Sequence, residues 1–88
     1  MKVKLYAVLD QASGVYDGPV PAAADGVALR NFTNMAKNEN TAIGLNPRDY
    51  SLWRVGVWDD STGEILPETK ICLGHAIDMI NADEEIHS

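Results

Sequence analysis

One short pattern occurs twice along the chain, and both copies specify the same reversal of chain direction. Val8-Leu9-Asp10-Gln11-Ala12-Ser13-Gly14 and Val57-Trp58-Asp59-Asp60-Ser61-Thr62-Gly63 each hold an apolar pair, an aspartate, two linking residues, a hydroxyl residue and a glycine. The aspartate side chain can close an Asx turn over the following backbone, and glycine supplies the positive φ that a bulged hairpin loop requires. Both copies therefore predict hairpin turns. Strand-like residues precede each, Val3 to Leu9 and Leu52 to Trp58, and short apolar segments ending near Pro19 and Pro67 follow.

Each hairpin leads into a helical pattern. Between about Asp25 and Lys37, Ala28, Phe32, Met35 and Ala36 recur at helical spacing, while Arg30, Asn34 and Lys37 share another face. Asp25 suits the positive N-terminal end of that helix and Lys37 the opposite end. A second helix is predicted from about Cys72 to Asn81, grouping Leu73, Ala76, Ile77 and Ile80. The order ββα-ββα predicts an α+β fold, with a four-stranded, mostly antiparallel sheet and two helices on one face. A long connector, residues 38–50, is broken by Gly44 and Pro47 and reads as either functional or loosely ordered. Residues 1–82 form the expected single domain and 83–88 an acidic, disordered tail containing Asp83, Glu84 and Glu85. One short echo does not establish a duplication.

A chain of 88 residues has room for one thin core, and its hydrophobic fraction of 45% is enough for it to fold. Cys72 is the single cysteine, which excludes an internal disulfide and suits a reducing compartment. No apolar run approaches bilayer-spanning length, and the start of the chain runs straight into a strand pattern, so neither secretion by a signal peptide nor a membrane anchor is expected. Catalytic patterns are weak. Cys72 and His75, three apart, would share a helix face, but a half-buried thiol beside a surface histidine is the commoner meaning of such a pair. Asp59 and Asp60 read as turn formers rather than a magnesium site, and neither histidine has a metal-ligand partner at the right spacing. The expectation is a binding protein, not an enzyme, with no catalytic residue, metal or cofactor.

Alternation along the strands sorts the remaining candidates. Aligning the hairpins through their turns puts Val3, Leu5, Ala7 and Leu9 on one side with Leu52, Gly56 and Trp58, under the helices, with Arg54 as the exception. The helix-free side then carries Lys2, Lys4, Tyr6 and Val8 from the first strand and Ser51, Trp53, Val55 and Val57 from the third. Tyr6 and Trp53 flanked by Lys2 and Lys4 match single-stranded nucleic acid, with rings to stack bases and ammonium groups to meet phosphate, and Arg54 at the margin can add to them. Val8, Val55 and Val57 on the same side match the interface of a homodimer instead. Arg30 and Lys37 on the first helix are either a solvated stripe or further phosphate contacts. Seven basic against thirteen acidic residues give a formal charge of -6, which opposes a tight, non-specific coat on DNA.

Three stretches together resemble a known family. They are Lys2-Val3-Lys4-Leu5-Tyr6-Ala7-Val8-Leu9-Asp10, Asp25-Gly26-Val27-Ala28-Leu29-Arg30-Asn31-Phe32, and Asp49 through Asp59 with Gly63. In order and spacing they resemble the small nonstructural protein of gokushovirus-type microviruses, phages with circular single-stranded DNA genomes. The resemblance implies a phage accessory protein in the bacterial host cytoplasm, binding single-stranded DNA, or a phage or host replication protein, as genomes are made for packaging. It brings no defined site residues with it. Two other readings stand beside it: a homodimeric interaction module that touches no nucleic acid, and an acidic inhibitor of a host protein.

Overall fold

In a computed structural model the backbone is described for residues 1–87 and side chains for residues 1–82. Strands β1 (Lys2–Asp10) and β2 (Val15–Ala22) form the first hairpin, and β3 (Tyr50–Asp59) and β4 (Glu64–His75) the second. Helix α1 (Asp25–Lys37) follows the first hairpin and α3 (Ala76–His87) the second, with a short α2 (Ala42–Leu45) between. The strands make one antiparallel sheet in the order β2-β1-β3-β4, so the first strand of each hairpin lies at the centre. The expected α+β fold is the one observed. The expected tail, 83–88, lies outside the residues whose side chains are described.

The two turns are built alike. Asp10 Oδ1 accepts the Ala12 amide at 3.0 Å and Asp59 Oδ1 accepts the Ser61 amide at 3.0 Å. The Gly14 amide donates to the Asp10 carbonyl at 2.7 Å and the Gly63 amide to the Asp59 carbonyl at 2.8 Å. Gly14 and Gly63 both have φ of 76°, the left-handed region where a Cβ is penalised. The echo in the sequence is thus a repeated piece of backbone geometry.

Helices α1 and α3 cover one side of the sheet. Phe32 (0% exposed), Ala28, Ala36 and Ala76 pack there against Tyr6, Leu52 and Ile43, with Val8, Leu29, Tyr50, Leu73 and Met79 around them. Predicted and observed bounds of α1 agree. The second helix differs: Cys72 to His75 belong to β4, where Cys72 pairs with Trp53 and His75 with Ser51, and α3 starts at Ala76. Strand pairing to β3 satisfies these backbone groups and overrides their helical spacing. The connector is ordered. Thr41 Oγ1 caps α2 by accepting the Gly44 amide at 3.0 Å, Ile43 is buried, and the Gln11 amide donates to the Asp49 carbonyl at 2.8 Å.

A β-bulge decides which residues face the helices. β1 pairs Leu5 with Gly56 but Tyr6 with Arg54, so Val55 is the extra residue and β3 changes sides there. Directly paired residues share a face, which puts Lys2, Lys4, Tyr6 and Val8 with Leu52, Arg54 and Val57 on the helix side. Val3, Leu5, Ala7 and Leu9 share the helix-free side with Ser51, Trp53, Gly56 and Trp58. The expected assignment of β1 is therefore inverted. Simple alternation carried through Val55 grouped Leu52 with Gly56, a parity that the bulge breaks.

Candidate functional site

Tyr6 and Arg54 meet over the start of α1. The Tyr6 hydroxyl donates to Asp25 Oδ1 at 2.6 Å, and Arg54 Nη1 donates to Asp25 Oδ2 at 2.6 Å. Tyr6 is 1% exposed, so it cannot stack a base, and Arg54 is committed to an ion pair. The Tyr6 hydrogen bond holds the Asp25 carboxyl below its ordinary value, burial opposes this, and Arg54 adds to the lowering. Burial first, then the bond to Asp25, pushes the Tyr6 phenol up to about 12. Asp25 is the first residue of α1, after an N-cap alanine, Ala24, that gives no side-chain cap; its carboxylate joins the helix start to the central strands.

The other expected contacts do not converge. Lys2 is exposed, and Lys4 is paired with Glu68 at 3.2 Å, beside Val57, Leu66 and Pro67 on the helix side of the sheet. Arg30 and Lys37 are exposed on α1, away from the strand faces. Val57 is buried, Val8 packs on the core, and Val55 is the half-buried bulge residue, so these valines do not form the shared surface expected of a dimer. Of the residues expected on the helix-free side, Ser51 and Trp53 are there.

The helix-free face has its own cluster around Trp53. The Trp53 indole N–H donates to the Ser51 hydroxyl at 2.9 Å, and Ser51 is fully buried. Tyr16 from β2 stands edge-on to Trp53, with ring centroids 6.2 Å apart at 80°. Lys70 Nζ lies 4.8 Å from the Tyr16 ring centre, within cation–π range. Trp58 and Ile65, paired across β3 and β4, extend the same face. Tyr16 and Lys70 were not among the sequence candidates. Tyr16 had a signal in the sequence, the alternation Val15-Tyr16-Asp17 directly after a hairpin glycine; Lys70 had none, because it sits where β4 bulges between Pro67 and Ile71.

Cys72 Sγ and His75 Nε2 are 3.9 Å apart, both half-buried, at the end of β4. Among the described residues no group of His, Cys, Asp and Glu could hold a metal ion, and no helix is long and apolar enough to cross a membrane.

The family model described as Phage ORF5 protein matches residues 3–79, nearly the whole chain. The chain belongs to the Phage ORF5 family. No curated protein and no solved structure matches it. This ORF5 protein is thus a phage protein, and the matched span contains both hairpins, α1, the Tyr6–Asp25–Arg54 junction and the Trp53 cluster.

Proposed function

We propose that this ORF5 protein is a nonstructural accessory protein in the bacterial host cytoplasm that binds single-stranded DNA on its helix-free sheet face. The observation that carries this reading is the cluster of Trp53, Tyr16 and Lys70 there. Aromatic rings on an open sheet offer stacking to any base, because every base has a π-face, and a neighbouring ammonium neutralises phosphate. The role is binding rather than catalysis and needs neither metal nor cofactor. The resemblance to the nonstructural protein of single-stranded DNA microviruses supports the same reading. With a formal charge of -6 on the chain, affinity is modest and depends on low salt, and a replication protein can hold the strand alongside it.

The test is a low-salt fluorescence titration with labelled single-stranded oligonucleotides. Stacking is worth roughly 1–3 kcal/mol per base, so Trp53→Leu is expected to weaken binding by about tenfold or more. Lys70→Ala weakens it less, and Lys2→Ala with Lys4→Ala, on the other side of the sheet, leaves it unchanged. Equal curves for wild type, Trp53→Leu and Lys70→Ala would remove the proposal.

A second reading, a homodimer that touches no nucleic acid, draws on one specific observation. Ile65 is 63% exposed beside half-buried Trp58 on this same face, an apolar surface a second copy can cover. Light scattering that gives a dimer, converted to a monomer by Ile65→Lys, would favour it.

A further inference from the structure

A separate apolar groove opens on the helix side, between the outer strand β2 and the connector. Val8, Val20, Met35 and Ile43 line it, and its volume is about 420 Å³. Val20 and Met35 remain 59% and 39% exposed at its mouth, so the chain itself leaves apolar surface uncovered. Asp10 and Asp17 also line it, and neither forms an ion pair among the described residues.

We infer that this groove takes an apolar side chain flanked by lysine or arginine on a partner protein. Asp17, and Asp10 whose Oδ1 also accepts the Ala12 amide, bring negative charge to the groove with no cation paired to either among the described residues; on a chain of formal charge -6 they attract a basic segment and repel a second copy of this acidic chain. The mode of docking is narrowed by β2 itself. Pro19 and Pro21 lack the amide hydrogens that adding a further strand along this outer edge requires. The occupant is therefore a side-chain plug with basic flanks rather than an added strand. The proposal is independent of DNA binding, since the Trp53 cluster lies on the opposite face.

The probe is a short labelled peptide of alternating lysine and leucine around a central phenylalanine, with a version carrying glutamate for lysine as control. Fluorescence anisotropy on the full chain is expected to show the cationic peptide binding about tenfold more tightly than the anionic one. Asp17→Asn is expected to reduce that difference, and Val20→Ser to weaken the cationic peptide. Both positions are exposed, so circular dichroism should report an unchanged fold for these variants. Peptides that bind alike, or cationic binding indifferent to both substitutions, would overturn the assignment. A dimer by light scattering that Val20→Ser dissociates would overturn it as well, because the groove would then belong to a second copy.

Discussion

Asp25 shows how much one carboxylate organises when two donors converge on it. Its oxygens are divided between the Tyr6 hydroxyl and the Arg54 guanidinium, at 2.6 Å each, which ties the first turn of α1 to both central strands. Asp25 is 39% exposed, so water can replace a lost donor in part, and Tyr6→Phe is expected to cost about 1 kcal/mol in urea unfolding. The pH dependence has two limbs. The lowered Asp25 value makes its contribution complete above the ordinary carboxylate range, and it is lost as pH falls through the folded value. The raised Tyr6 value makes its contribution complete below the ordinary tyrosine range, and it is lost as pH climbs toward about 12. Thermal melts of wild type and Tyr6→Phe should therefore converge at strongly alkaline pH; a constant gap would contradict the burial of Tyr6. The three residues were visible in the sequence, but their meeting was not, because Tyr6 and Asp25 are 19 positions apart and Arg54 a further 29.

At the scale of elements, the hairpin turns were the most legible parts because their geometry is local. An Asx bond spans two residues and a positive φ belongs to one, so a short sequence carries the whole instruction. A Cβ at Gly63 would meet nothing within 4 Å, which leaves backbone conformation as the cost of substitution. Gly63→Ala is expected to destabilise the protein by about 1 kcal/mol, and Gly63→Asn by less, since asparagine tolerates left-handed backbone. Chemical denaturation of both variants checks the order, and an equal cost would mean that crowding rather than φ sets the penalty. Helix α1 was legible for a similar reason, its periodicity lying within 13 residues. The end of β4 was not, since Leu73, Ala76, Ile77 and Ile80 fit a helical stripe while Cys72 and His75 are held by pairing with β3.

The whole molecule separates its candidate surfaces: aromatic rings and Lys70 on one sheet face, an acidic-rimmed apolar groove on the other, Arg30 and Lys37 on the outside of α1. With one lysine in the aromatic cluster, few phosphates can be neutralised at once. The logarithm of DNA affinity is expected to fall with the logarithm of salt at a slope of roughly 1 to 2, at about 0.7 per phosphate on a single strand. A titration at several salt concentrations measures this, and a much steeper slope would mean that Lys2, Lys4, Arg30 and Lys37 act together after all. The hairpin pairs, the turn chemistry, α1 and the α+β class follow from interactions within about a dozen residues, and so could be read along the chain. The Trp53 cluster and the side on which Tyr6 lies could not. The side of Tyr6 depends on the single extra residue at Val55 and the cluster on Tyr16 and Lys70 arriving from the two outer strands, and such register is chosen when distant strands settle against one another and the helices, an energy shared by residues far apart in sequence.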